Sequence, residues 1–127
     1  MPAKNPREVD ELFIKYMREG DIESVLSLYD EDVAFVNQSG NVKHGHEALR
    51  EQLSSFANSK QVFKFDIKNI IVAGDIALVH NQWEMISPQK GSGYAIEVMR
   101  WQPDGSWRFA IGDPFTVGPL VHADKLA

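Results

Sequence analysis

Cysteine is absent from the 127 residues, which excludes disulfides, thiolate catalysis and cysteine-ligated zinc. Lysine and arginine total 13 against 18 acidic residues, and they form no basic run or arginine–aromatic patch. A phosphate backbone needs local positive charge to bind, so nucleic acid is not an expected partner. Apolar runs long enough to span a bilayer are missing, and the opening MPAKNPREVDEL is too charged for a secretory leader. The expectation is a cytoplasmic protein without membrane contact. Repeats, linkers and low-complexity stretches are also lacking, so one domain over 1–127 is expected, with its core over about residues 7–115.

What is present is an ordinary globular composition, 43% apolar and 24% charged, arranged in readable periods. Residues 1–5 carry no pattern and are expected to fray. Asn5-Pro6-Arg7-Glu8 offers a capping side chain, a proline at the first helical position and a glutamate three residues after the cap. Val9, Leu12, Phe13, Tyr16 and Met17 follow as an amphipathic stripe. Gly20 stops that helix and Asp21 caps a second, with Ile22, Val25, Leu26 and Tyr29 on its apolar face. A brief strand over Val33–Asn37 ends in Gln38-Ser39-Gly40-Asn41, and a third helix is predicted from about Gly45 to Ala57.

The remainder reads as sheet. Phe63, Phe65 and Ile67 alternate with Lys64, Asp66 and Lys68, and Gly74-Asp75 turns the chain into Ile76–Met85. Ser87–Gly93 reads as a loop. Tyr94–Asp113 reads as a long hairpin joined through Pro103-Asp104-Gly105-Ser106. The tail after Pro114, with Val117, Leu120 and Val121, suggests packing but no element. Helices segregated onto one face of a sheet make an α+β protein.

One residue breaks the apolar pattern. Glu97 stands between Ile96 and Val98, where a carboxylate is costly to bury unless protonated or paired. It is either a carboxyl facing a cavity or an edge glutamate paired with Arg100 or Arg108.

The element order, with certain words in it, resembles the nuclear-transport-factor-like superfamily, in its ketosteroid isomerase and SnoaL-like branch. The words are Gly20-Asp21-Ile22-Glu23, Leu28-Tyr29-Asp30-Glu31-Asp32, His44-Gly45-His46-Glu47-Ala48-Leu49-Arg50, Glu97-Val98-Met99-Arg100-Trp101 and Asp104-Gly105-Ser106-Trp107. The resemblance implies a cone-shaped α+β barrel, with three N-terminal helices packed in the concave face of a bent antiparallel sheet. It also implies an apolar cavity between helices and sheet, and a homodimer formed through the sheet's outer face. In ketosteroid isomerase an aspartate is the base, while a tyrosine and a protonated aspartate donate to the oxyanion. Position by position, the protonated acid falls on Glu97 and the base on Asn37, which cannot abstract a proton. The tyrosine falls on Phe13, with Tyr16 nearly one helical turn later.

Glu97, Asn37 and Tyr16 are therefore the candidate catalytic residues. Asn37 shares a strand face with Phe35 and either orients a ligand or supports the turn at Gln38-Ser39. Tyr16 lies on a core stripe and either reaches the cavity or packs. Phe13, Phe35, Trp83, Met99 and Trp101 are expected to line the cavity, the tryptophans doing so unless they serve only as core. His80 is either an acid–base partner or a satisfied core histidine. Asp113 is either a base at the cavity mouth or the end of a strand before Pro114. His44 and His46 have no third metal ligand, so no metal and no cofactor are expected. The functional expectation is a small, partly apolar ligand with cofactor-independent acid–base chemistry of isomerase, cyclase or hydratase type. The alternative is a non-catalytic binding or dimerisation module.

Overall fold

The computed structural model describes residues 3–118. Its elements run α1 (Pro6–Glu19), α2 (Ile22–Leu26), β1 (Tyr29–Val36), β2 (Val42–His44), α3 (Gly45–Asn58), β3 (Val62–Ala73), β4 (Ile76–Ser87), β5 (Gly91–Trp101) and β6 (Trp107–Val117). Helix α1 starts where its sequence says it must. The Asn5 side chain accepts the Glu8 amide at 3.0 Å, Pro6 takes the first turn, and Gly20 at φ 75° closes the C-terminus. Asp21 caps α2 in the same way through the Ser24 amide.

The six strands form one sheet in the order β2-β1-β6-β5-β4-β3. Its end strands, β2 and β3, do not pair with each other, so the curved sheet stays open. Every pairing is antiparallel except β1 with β6, which run parallel with Ala34 opposite Ile111 and Phe35 opposite Gly112. The expected all-antiparallel sheet is corrected at that seam. A chain that leaves β1 for β2 and α3 re-enters beside β1 only with its last strand, and arrives in the same direction.

Strand alternation fixes the two faces. Ala77, Val79 and Asn81 of β4 and Ala95 and Met99 of β5 are buried on the concave side, against Val9, Phe13 and Met17 of α1 and Leu49, Leu53 and Phe56 of α3. Phe13 gathers the core, its ring centroid 5.4 Å from that of Phe63, 5.7 Å from Phe65 and 6.4 Å from Phe109. A bulge between Ile67 and Asn69 resets the facing of β3, so that Ile70 also packs inward.

Several boundaries differ from the sequence reading. Ala3 does not fray: it is buried, and its carbonyl accepts the Trp107 amide at 2.9 Å. The expected loop after Ser87 is short because β5 already begins at Gly91, and β6 runs on through Pro114 to Val117. Leu120 and Val121 lie outside the described residues. Among the described residues, no helix is long and apolar enough to cross a membrane.

Candidate functional site

Helices α1 and α3 do not fill the sheet's concavity. They leave a cavity of about 150 Å³ walled by Phe13, Phe35, Leu49, Leu53, Phe56, Phe63, Phe65, Trp83, Met85, Phe109 and Phe115. Trp83 is held flat against the backbone of Gly93, and its indole N–H donates to the Pro114 carbonyl at 2.8 Å. The polar side chains in the lining are few. Asn81 and Glu97 come from the adjoining strands β4 and β5 and Tyr29 from the start of β1, while Gln38, Gln52 and Asp113 complete the wall.

Glu97 reaches the cavity because β5 turns Ala95, Glu97 and Met99 inward and Ile96 and Val98 outward. Its side chain is part of the cavity wall. From the helical side α1 presents Asp10, only 1% exposed, whose carboxyl stands close enough to that of Glu97 for each to influence the other's proton. Neither Asp10 oxygen receives an N–H or hydroxyl bond from elsewhere among the described residues. Two carboxylates brought together out of water repel strongly, so the pair is favoured when it holds a proton.

The electrostatics follow from this burial. Desolvation first, then the charge and hydrogen bond of Asp10, push Glu97 well above the usual carboxylate range; the Asn81 amide, donating to its Oε1 at 2.9 Å, opposes the shift. Desolvation raises Asp10 to about 7, against the hydrogen bond to Glu97 and the charge of Arg7, and with a contribution from Glu11. Tyr29 is pushed well above the ordinary phenol range by burial and then by Glu97 and Asp10, so its hydroxyl stays neutral.

The predicted residues divide between the cavity and other places. Glu97, Phe13, Phe35, Trp83 and Asp113 all line it. Trp83 faces inward because the β4–β5 register has no bulge. Asp113 is engaged at the rim, where it accepts the Thr116 amide at 3.1 Å and the Thr116 hydroxyl. Arg100 and Arg108 pair with Asp30 and Asp104, leaving Glu97 without an arginine partner. Tyr16 is buried on α1 but outside the lining. Asn37 is outside it too: its Oδ1 accepts the Ser39 and Asn41 amides, each at 3.0 Å, and builds the turn that ends β1. His80 alternates to the outer face, its ring 6.1 Å from that of Tyr94. Met99 is fully buried in the core, and Trp101 is 45% exposed at the end of β5.

Asp10, Asn81 and Tyr29 were not picked out as site residues from the sequence. Asp10 carried a signal, because it stands three residues before Phe13 and seven before Met17, on the same apolar stripe. Asn81 alternates with Val79 in β4, a polar residue at an inward position, legible once the parity of that strand is known.

The SnoaL-like domain family matches residues 11–112. Among solved structures, a ketosteroid isomerase-like protein from Erwinia carotovora atroseptica superimposes with a TM-score of 0.68 at 18% identity, covering 89% of this chain and 94% of that one. A protein of the NTF2-like family from Streptomyces avermitilis gives 0.67 at 18% identity, covering 91% and 94%. A protein of unknown function with a cystatin-like fold from Nostoc punctiforme gives 0.67 at 19% identity, covering 91% and 92%. At these identities the likeness is one of fold. Comparison with curated proteins found no match.

Proposed function

The chain belongs to the SnoaL-like family, and on that premise we propose that its cavity binds a small, largely apolar molecule and exchanges a proton with it. The observation that carries this reading is the Asp10–Glu97 pair at the edge of an otherwise apolar hollow. A buried carboxyl pair that holds a proton is poised to give or take one near neutrality, which is the requirement for general acid–base catalysis. Glu97 is the group exposed to the ligand, Asp10 adjusts it from behind, and Asn81 and Tyr29 fix the polar end. The chemistry would be cofactor-independent, of isomerase, cyclase or hydratase type. Steroid-type isomerisation is not part of the proposal, because the family's base position is Asn37, an amide engaged in a turn.

The test is to identify by mass spectrometry the molecule that co-purifies with the protein, then to compare its binding and turnover by wild type and Glu97→Gln. Loss of turnover with binding largely kept supports the proposal. A Glu97→Gln protein that binds and converts the molecule as wild type does overturns it.

A second reading, a dimerisation or binding module without catalysis, draws on the outer face of the sheet. Ile71, Leu78, Val98, Ile111 and Ala34 stand opposite one another in a row across β3, β4, β5, β6 and β1. Leu78 is 42% and Ile111 49% exposed, and burying such a row is favourable. Both readings are compatible with a homodimer formed through this face.

A further inference from the structure

The geometry points to a ligand whose polar end is a cationic hydrogen-bond donor: a protonated amine on an apolar body of about one ring. This rests on the cavity being a ligand site, and not on what chemistry follows.

Three observations carry it. The first is an imbalance of donors and acceptors. Asn81 is 1% exposed and lines the cavity, yet its Oδ1 has no partner among the described residues because its amide nitrogen is turned to Glu97. Beside it the Glu97 carboxyl, which Asp10 approaches from behind, lines the same wall. A buried acceptor without a donor is costly, so this polar end of the wall favours a ligand that donates over one that accepts.

The second observation is charge. The lining contains Glu97 and Asp113 and, among its residues, no lysine, arginine or histidine. Asp10 adds a further acid behind Glu97. Of the charged groups nearby, Arg7 and Glu11 act on Asp10 from its own helix with opposite sign. From β1 comes only the neutral Tyr29 hydroxyl, and from β4 the Asn81 amide. An anionic ligand would lose its hydration with no cation to meet it, whereas an ammonium meets the Glu97 carboxyl.

The third is the wall. Phe13, Phe63, Phe65, Phe109 and Trp83 turn aromatic surface toward the hollow, and aromatic faces attract organic cations. Size limits the rest. An apolar cavity of about 150 Å³ accepts benzene, so one ring with a short amine fits.

Benzylamine, benzyl alcohol and benzoate share a ring and differ in the charge of the polar end. Calorimetric titration of the wild-type protein with each, at pH 8 and in two buffers of different ionisation enthalpy at pH 7, separates the cases. Benzylamine, cationic at both pH values, is expected to bind about tenfold or more tighter than benzyl alcohol. It should release a proton on binding at pH 7, as the carboxyl pair gives up its own. Benzoate should bind least. In Glu97→Gln the preference for benzylamine over the alcohol should shrink to about twofold; should that variant not fold, Asp10→Asn is expected to retain the preference and lose the proton release. Equal or tighter binding of benzyl alcohol or benzoate by the wild type overturns the inference and leaves the cavity as a ligand site. Binding of none of the three overturns the ligand-site reading as well.

Discussion

Asp10 on α1 and Glu97 on β5 bring two carboxyls together in the protein interior, and neither is paired with a basic side chain among the described residues. The helix and the sheet therefore meet through an acid–acid contact, whose stability depends on keeping a proton.

The first prediction follows from the sign of that dependence. Both carboxyls are raised in the folded state, Asp10 from 3.8 to about 7. Groups of this kind favour the folded state fully below their unfolded pKa, and the benefit is lost as pH rises through the folded value. Wild-type stability should fall between about pH 4 and pH 8, and Asp10→Asn should flatten that fall. Thermal denaturation across this range checks it. Asp10→Asn should raise Tm at pH 8 more than at pH 5, and an equal shift at both would contradict the account.

Gly93 is predicted to be intolerant of any side chain. A methyl placed there meets the Trp83 ring at 2.6 Å. The indole must move, which opens its bond to the Pro114 carbonyl and disturbs the cavity wall. Gly93→Ala should cost about 1–3 kcal/mol in urea unfolding, and tryptophan emission should shift to the red.

Asp30 is buried where β1 begins and accepts from Arg100 at 2.8 Å and Gln102 at 2.6 Å, joining that strand to the far end of β5. Asp30→Ala should destabilise by about 1–3 kcal/mol, because the bonds from both Arg100 and Gln102 are lost together. Arg100→Ala should cost less, since that side chain is half exposed and can hydrate. A larger loss for Arg100→Ala in denaturant titrations would reverse the assignment.

The outer face of the sheet gives a fourth prediction. Charge placed in its apolar row, as Leu78→Asp or Ile111→Lys, should leave the fold intact by circular dichroism. It should convert the proposed homodimer to monomer in sedimentation velocity at micromolar concentration. A wild type that sediments as monomer, or a dimer indifferent to both substitutions, rejects this interface.

The sequence disclosed a large part of this arrangement because most of its signals are local. Asn5, Pro6 and Gly20 delimit α1 by capping chemistry that needs no tertiary context, and alternation in β3 reveals which phenylalanines turn inward. Glu97 was conspicuous because a carboxylate stood where strand neighbours are apolar. Asp10 escaped notice for the opposite reason: an acid in the first turns of a helix is ordinary, and only contact with β5 makes it unusual. Asn37 looked like a site residue by strand parity, but β1 ends at Val36 and local turn bonds take over at the next residue. Trp101 and His80 depended on register across strands, a long-range property that alternation within one strand does not supply.

The parallel seam between β1 and β6 bears on how the chain is made. α1 leaves the ribosome well before β6, yet the edge of β1 stays open until that strand arrives. Helices and β1 must wait, with apolar surface uncovered, while nearly everything after them is translated. Closure by β6 then completes the sheet at once, so truncation before that strand should yield an aggregating fragment instead of a smaller stable protein.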